Sequence, residues 1–400
     1  MRAVNSFVDA LAKVPNPSIT LVLTANSALW TPRVKSPHIY RLGTVVQLSR
    51  LDYSEIGSLI NLVEHNPQIA SLVHPKFKQK QRDEQREILN RKSSADMFVC
   101  LNNIFQTEGL DTILLREYED IESGLQEYYR YVAALEAVGA KVHRQLLIRM
   151  LNAPPEQISR VLVGLSGIVD EYDIRPKEGI YGWSTRHLVI ARKITEYKFS
   201  SIEELEKLFD TIIDNLNPGV AIELQTIRDI CDRDFGIGRL GDANMRQKLY
   251  RRLISVAPAE RIPWHRLIRE LIQAEDYGEA EYTIRRAEEV VSADAPLSRY
   301  KVRLLVSRAK YTPGISEGDR VALLRKAYEQ ATSNIEHYQW DKFSYAVLCD
   351  VAVSLIERGE SVYVLDEAII AMRQASERIV DPEMDRKLRE YEMTRNNLFR

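Results

Sequence analysis

Several features are scarce or absent in this sequence of 400 residues, and each absence excludes a class of protein. The three cysteines, Cys100, Cys231 and Cys349, are widely spaced, with no CxxC motif and no His pair. This pattern excludes a disulfide framework and a zinc site of ordinary spacing, and it predicts reduced thiols in the core. No apolar run reaches the roughly 18 residues of a membrane span, and no signal pattern opens the chain. We therefore expect a cytoplasmic protein without membrane contact.

Catalytic motifs are also missing. The sequence has no GxSxG, HExxH or GxxxxGK[ST] motif, and its carboxylates are scattered at i, i+4 from Lys or Arg, as on solvated helix faces. Its 55 basic and 57 acidic residues give a formal net charge of -2, which creates no overall field for nucleic acid or an anionic membrane. With no complete catalytic site, the chain is not expected to be an enzyme by itself, and any ATPase activity would need a P-loop segment.

The clearest strand pattern lies near the start of the chain. The segment ITLVLTANSALW, residues 19–30, begins with a nearly continuous apolar run, which predicts a strand covered on both faces, as in parallel α/β sheets. VVQLS at 45–49 predicts one more short strand, and the periodicity is helical almost everywhere after it. The predicted fold class is mainly α, with a remnant of an α/β sheet in residues 1–50.

Residues 51–150 predict a compact block of helices with short connections. The first helix lies in SRLDYSEIGSLINLVEHN, where Ser54 is the expected N-cap of an amphipathic helix. Further helices are predicted at 83–92, 94–106, 109–119, 122–137, 141–151 and 155–163.

Residues 151–216 have a different pattern. A Gly-rich hairpin is predicted at about 173–184, with Tyr181 and Trp183 on its second arm, followed by a helix and then an amphipathic helix at 201–215. Helices followed by a short hairpin predict a winged-helix module.

A helical connector at 217–260 is followed by predicted helix pairs in residues 261–400. The pairs recur at intervals of roughly 34 to 41 residues, and Ala280 and Ala287 are small packing positions within them. This pattern is typical of a TPR-like α-solenoid, whose concave face binds a protein or peptide.

One predicted repeat helix, RYKVRLLVSRAKY at 299–311, is rich in basic residues. Arg299, Arg303 and Lys310 are candidates for a concave basic strip that binds an acidic peptide or RNA. The alternative is an ordinary amphipathic repeat helix with solvated charges.

Two shorter motifs have competing interpretations. GIGRLG at 236–241 fits the GxGxxG pattern, but no strand precedes it, so we predict a loop with Asp242 capping the next helix. His187 is predicted at the start of a helix directly after the hairpin, where unpaired backbone N–H groups favour a phosphate and an imidazole can donate a hydrogen bond to it. The alternative for His187 is a satisfied surface histidine.

The order of strand, helical block, winged helix and repeats resembles the rear portion of a STAND-class signalling ATPase, a P-loop switch similar in layout to NLR and apoptosome proteins. LVLTAN at 21–26 resembles the sensor-1 strand, which implies that Thr24 and Asn26 face the γ-phosphate, although many members carry Arg where Asn26 stands. LDYSEIGSLINLVEHN resembles the first lid helix, and LLREYEDI at 114–121 resembles the segment that leads to the winged helix.

WSTRHLVIA resembles the winged-helix histidine segment of this class. The resemblance implies that Arg186 and His187 contact the nucleotide phosphate in the resting state. It also implies a Walker A loop and a Walker B acid before the sensor strand, and residues 1–18 cannot contain them. We therefore expect an upstream segment or another subunit to supply them, so that ATP or ADP with Mg²⁺ binds only to the completed assembly.

Three functions follow from these patterns. The first is the regulatory and sensor half of a STAND-type switch in antiviral defence or signal transduction, which binds a protein or peptide ligand on its repeats and forms an oligomer when active. The second is a helical-repeat adaptor that binds a protein or peptide without nucleotide. The third, which the balanced charge does not favour, is a winged-helix regulator that binds nucleic acid.

Overall fold

The computed structural model describes residues 51–70, 73–92, 97, 100, 101, 104, 110–379 and 381–397. These residues belong to two compact units, a larger unit of Asp52–Tyr338 and a smaller unit that includes Gln339–Arg400. The described part is mainly α-helical with one small sheet, as predicted. The strands predicted at 19–30 and 45–49 lie outside the described residues.

The larger unit begins with a helical block whose bounds differ from the prediction by a few residues. Its helices are α1 (Tyr53–His65), α2 (Pro67–Ala70), α3 (Pro75–Lys78), α4 (Arg82–Glu87) and α5 (Leu110–Asp120). Helix α4 continues into a π-helical turn at Ile88–Lys92, and most of the helix predicted at 94–106 lies outside the described residues.

The predicted cap of α1 is wrong, because Asp52 rather than Ser54 is the N-cap. The Asp52 carboxylate accepts a hydrogen bond from the N–H of Glu55 (2.7 Å), and the Glu55 carboxylate accepts one from the N–H of Asp52 (2.8 Å). This reciprocal capping box needs an acceptor side chain three residues before a Glu, and only Asp52 meets that spacing. Ile56 and Ile60 lie on the buried face of the helix, as predicted.

A three-stranded antiparallel sheet lies at the centre of the next module. The module consists of α6 (Ser123–Ala137), β1 (Val142–His143), α7 (Arg144–Met150), α8 (Ile158–Gly164), β2 (Val169–Arg175), β3 (Ile180–Thr185), α9 (Leu188–Lys198) and α10 (Ile202–Asn215). The strand order is β1–β3–β2, so β3 is the central strand. The predicted hairpin is confirmed, although its first arm begins at Val169.

Trp183 fixes the central strand in the core of this module. It lies opposite Val142 of β1 and Glu171 of β2, and its side chain is buried against the ring of Tyr128 at 6.3 Å between centroids. Its indole N–H donates to the Glu171 carboxylate at 2.8 Å, which satisfies the one polar atom that burial would otherwise leave unpaired. The end of β3 is therefore held in place where the chain leaves the sheet.

Two helices, α11 (Ala221–Asp229) and α12 (Ala243–Val256), follow this module in the larger unit, and α12 packs against α13 (Arg261–Gln273). Two helix pairs come next, α13 with α14 (Tyr277–Val291) and α15 (Ala295–Tyr311) with α16 (Glu317–His337). The first helices of these two pairs are neighbours, since α13 contacts α15. Ala280 and Ala287 are fully buried, as predicted, so the arrangement is that of a helical repeat.

The GIGRLG segment forms a loop between α11 and α12, as predicted. It contains a 3₁₀ turn at Ile237–Arg239, and the Asp242 carboxylate caps α12 by accepting from the N–H groups of Asn244 (2.7 Å) and Met245 (3.2 Å). A Cβ atom at Gly236 would lie 2.3 Å from the carbonyl oxygen of Ile230. The glycine therefore allows a close backbone contact within the loop.

A buried ionic cluster joins the sheet module to helix α11. Glu223 on α11 is fully buried and accepts hydrogen bonds from His143 Nδ1 (2.7 Å), from Arg149 Nη2 and from the N–H of Asn217 (2.7 Å). Burial alone would raise the pKa of Glu223, but these three hydrogen bonds outweigh it and the pKa is lowered from its ordinary value. The carboxylate is therefore ionised and fully partnered at neutral pH.

The smaller unit contains one helix pair and one further helix among its described residues: α17 (Lys342–Ile356), α18 (Tyr363–Arg378) and α19 (Pro382–Asn397). The Asp381 carboxylate caps α19 by accepting from the N–H of Glu383 at 2.9 Å. Cys349 is buried beside Met372, and, as predicted, the other two cysteines are also buried and none forms a disulfide. Within the described ranges, every helix is too short or too polar to span a lipid bilayer.

Candidate functional site

The turn between β3 and α9 contains two of the residues that the sequence indicates as phosphate contacts. His187 is the N-cap of α9, and its Nδ1 accepts a hydrogen bond from the N–H of Val189 at 3.1 Å. Because Nδ1 is the acceptor, the neutral imidazole carries its proton on Nε2. The chemistry of this ring suits a hydrogen bond from Nε2 to an anion at the start of the helix.

Arg186 forms an ion pair that the sequence analysis did not foresee. Its Nη2 donates to the Glu117 carboxylate on α5, and both side chains are partly exposed. Tyr129 of α6 is fully buried nearby, and its pKa is raised, chiefly by burial and also by the charge of Glu117. The guanidinium is therefore already bound to a carboxylate, and a phosphate would have to share it or replace Glu117.

Glu136 of α6 holds the backbone just before Arg186 and His187. Its carboxylate accepts a hydrogen bond from the N–H of Thr185 at 2.7 Å. Burial raises the pKa of Glu136, while the hydrogen bonds from Thr185 and the charge of His187 act in the opposite direction. Glu136 thus positions the turn where β3 ends.

A cleft of about 500 Å³ lies next to the Arg186–Glu117 pair. Three carboxylates line it, those of Glu117, Asp120 and Glu122, against the single guanidinium of Arg116. This excess of negative charge does not favour a phosphate inside the cleft.

Thr24 and Asn26 lie outside the described residues. The structure places Arg186 and His187 together in one turn. Glu117 and Glu136 are the partners that sequence reasoning missed. They are 69 and 49 residues away from the residues that they bind, so no local spacing indicates them.

The three basic candidates on α15 lie on one face of that helix. Arg303 and Lys310 are exposed, and neither makes an ion pair with a residue that the structure describes. The guanidinium of Arg303 lies 5.9 Å from the ring centroid of Tyr300. Other bases on the same helix are paired, Lys301 with Glu288 (2.6 Å) and Arg308 with Glu281 (2.7 Å).

The hairpin and the helix before it have little of the charge that a DNA-binding surface needs. Residues 155–185 contain five acidic and three basic residues, and Arg160 is the only basic residue of α8. The neighbouring Val163 is 77% exposed, and Arg175 at the hairpin is paired with Glu178 at 3.1 Å. A duplex contact on this surface would bring phosphates against carboxylates.

Comparisons with known proteins give little additional information. No protein-family profile matches the sequence, and no curated protein matches it. A solved structure that does match is the crystal structure of a STAND protein (signal transduction ATPase with numerous domains) with a tetratricopeptide repeat sensor from Pyrococcus horikoshii, at a TM-score of 0.28 and 13% sequence identity. The match covers 88% of this chain and 51% of that chain, so this chain spans about half the length of the protein it matches.

Proposed function

We propose that the chain is the regulatory and sensing half of a STAND-type nucleotide-dependent switch. The observation that carries the proposal is the position of His187, which caps a helix directly after a β-hairpin in a module that precedes a series of helix pairs. The element order α6-β1-α7-α8-β2-β3-α9 and the strand order β1–β3–β2 support a winged-helix assignment for this module. The nucleotide is inferred by analogy with the fold, whereas the hydrogen-bond donors to its phosphate are side chains of this turn.

In this proposal the resting state contains ADP, held between a P-loop that an upstream segment or another subunit supplies and the turn at Arg186 and His187. The donor set of this turn fits a phosphate, because a guanidinium and an imidazole N–H both donate to anionic oxygens. The resting state and the active state would differ in the charge of the bound nucleotide and its Mg²⁺. His187 donates to the phosphate, and Arg186 exchanges Glu117 for phosphate as the nucleotide binds.

The helix pairs are the sensing part in this proposal. A ligand that binds them better in an open arrangement shifts the equilibrium away from the resting state, towards a form that assembles into oligomers. Moving such an equilibrium from 1:99 to 99:1 needs about 5.5 kcal/mol of differential affinity, so the sensing surface must make many contacts or a few strong ones.

The test is the rate at which ADP leaves an assembly of this chain with the P-loop segment. His187→Ala should increase that rate at least tenfold, because it removes a donor to the phosphate. His337→Ala is a matched control, since His337 is an exposed histidine whose Nδ1 is bound to the Ser333 carbonyl of its own helix (2.8 Å). Equal ADP dissociation rates in the two variants would argue against the proposed role of His187.

A helical-repeat adaptor is the second candidate function, and it is favoured by Arg303 and Lys310 of α15, which are exposed and form no ion pair with a residue that the structure describes. An adaptor would bind its partner with the same affinity whether or not nucleotide is present. A partner affinity that changes between the ADP-bound and ATP-bound assembly would exclude the adaptor and support the switch.

A further inference from the structure

The first helices of two successive repeat pairs are unusually basic. Together α13 and α15 carry eight Lys and Arg residues and a single acidic residue, Glu270. The second helices, α14 and α16, each carry four acidic residues. A chain with a formal net charge of -2 thus separates its charges within the repeat region, and the positive charge is concentrated on the first helices.

Helices α13 and α15 lie side by side and run in the same direction. Asp294, the N-cap of α15, is 3.5 Å from Arg261 and 3.2 Å from His265, both near the start of α13. The ring of His265 also lies 6.3 Å from the ring of Tyr300, six residues after Asp294 on α15. These contacts identify the faces that the two helices turn towards each other.

Five bases then fall on one side of this helix pair. We call them the basic face: Arg266, Arg269, Arg299, Arg303 and Lys310. Successive residues are about 100° apart on a helix, so the α13 bases lie about 40–100° from His265 in one sense, and the α15 bases lie about 60–100° from Tyr300 in the opposite sense. Because α13 and α15 are parallel neighbours, offsets in opposite senses from their facing residues place both sets of bases on the same side of the helix pair.

Glu270 offsets only part of the positive charge at the α13 end of the basic face. Glu270 is buried and is shared, because one of its oxygens accepts from Arg246 (2.6 and 2.8 Å) and the other accepts from Arg269 (3.2 Å). One carboxylate against two guanidinium groups leaves a positive charge. Arg266, like Arg303 and Lys310, makes no ion pair with any residue in the described ranges.

The chemistry of the basic face suits carboxylates on a peptide. Arginine presents planar pairs of N–H donors that match carboxylate geometry, and apolar side chains lie among the bases, such as Val306 between Arg303 and Lys310. Stacked helix pairs offer extended surfaces of the kind that bind a peptide segment. Single-stranded RNA would stack its bases on exposed aromatic rings, and Tyr311 at the end of α15 is 60% exposed, so RNA is the competing occupant that the test includes.

We infer that the basic face binds an acidic segment of a partner protein, rich in Asp and Glu with interspersed apolar residues. This inference names the ligand class for the sensing role proposed above and rests on that role. We choose a peptide over RNA because apolar side chains such as Val306 lie among the bases, which matches a segment that carries both acidic and apolar residues.

The test uses the complete 400-residue chain and fluorescence anisotropy. The probes are a pool of labelled 15-residue peptides with alternating Glu or Asp and Leu or Ala, the same peptides with Gln and Asn in place of the acids, and a 15-nucleotide oligouridine. We expect the acidic peptides to bind saturably below about 1 mM, with an affinity that falls as salt is raised, and at least tenfold more tightly than either other probe.

Charge reversal on the basic face should abolish this preference. Arg303→Glu with Lys310→Glu should weaken acidic-peptide binding at least tenfold, whereas Arg285→Glu with Arg286→Glu, two exposed bases on α14, should change it less than twofold. Both double variants should keep the unfolding midpoint of the parent chain, and Arg303→Gln with Lys310→Gln replaces the first if it does not fold.

Three results would overturn the inference: no saturable binding of any acidic peptide, equal binding by the two double variants, or tighter binding of oligouridine. None of these measurements uses nucleotide. Their failure is therefore distinguishable from failure of the switch proposal, which rests on ADP binding by the completed assembly.

Discussion

At the scale of single residues, the structure uses buried carboxylates to hold its parts together. Glu223 has three hydrogen-bond partners from two other segments of the larger unit, and Glu136 holds the chain where β3 ends. Removing one member of a buried ionic group leaves the others desolvated and unpaired, which costs more than the group contributes when complete. Truncating these side chains should therefore destabilise the protein strongly, whereas an isosteric substitution such as Glu to Gln should destabilise it less.

Glu223→Ala should lower the free energy of unfolding of the larger unit by about 3–5 kcal/mol, because His143 and Arg149 lose their common acceptor in a buried site. Glu223→Gln should cost less, since the amide oxygen can still accept. Glu289→Ala, an exposed position on α14, should change the value by less than about 0.5 kcal/mol. Urea unfolding measures all three, and equal losses for the Glu223→Ala and Glu289→Ala variants would contradict the role of the cluster.

The same residue predicts a pH dependence. Because hydrogen bonding lowers the pKa of Glu223 in the folded state, its contribution to stability is complete above the ordinary value of 4.5 and is lost as the pH falls through the lower folded value. The stability difference between the parent chain and Glu223→Gln should therefore be constant above about pH 5 and shrink below it. A difference that grows on acidification would contradict the lowered pKa.

Arg186 and Glu117 give a prediction about the proposed switch. Glu117→Gln removes the charge that competes with phosphate for Arg186, so it should increase the ADP affinity of the completed assembly several-fold. Arg186→Ala should decrease that affinity. Glu178→Gln is the control, because it breaks a similar Arg–Glu pair at the tip of the hairpin. If the Glu117 and Glu178 variants bind ADP equally, Glu117 does not compete with the nucleotide.

At the scale of elements, the ends of helices are determined by side chains that the sequence displays. Asp52→Ala should destabilise the first turn of α1 by about 1 kcal/mol, because it removes one half of the capping box. Ser54→Ala should change it by only a few tenths of a kcal/mol, since Ser54 is not the cap. Hydrogen exchange of the α1 amides measures both, and greater loss of protection in the Ser54 variant would contradict the assignment of the cap.

Local patterns in the sequence predict most elements because each depends on a few neighbouring residues. The apolar period predicts α10 and the repeat helices, and the glycines and aromatic residues around 173–184 predict the β2–β3 hairpin. The N-cap predicted for α1 is wrong because Ser and Asp both commonly cap helices, and only the spacing to Glu55 distinguishes Asp52 from Ser54. The partners of Arg186 and Thr185 could not be predicted, because contacts across 69 and 49 residues depend on packing.

At the scale of the whole molecule, the proposed switch has two states, which differ in the bound nucleotide and in the bound ligand. His187 lies in the sheet module and the basic face lies in the helix pairs that follow it, so the two proposed binding surfaces are on different parts of the chain. A ligand on one surface changes affinity at the other only if both prefer the same state, and the effect must then be reciprocal. An acidic peptide that weakens ADP binding must therefore bind less tightly when ADP is present.

The most direct measurement is equilibrium binding of ADP to an assembly of this chain with a P-loop segment, made by calorimetry beside the same assembly carrying His187→Ala. The account predicts saturable binding of about one ADP per assembly unit, weakened at least tenfold by the substitution. An assembly that binds neither ADP nor ATP would contradict the account, and the chain would then be a repeat scaffold without a nucleotide-dependent switch.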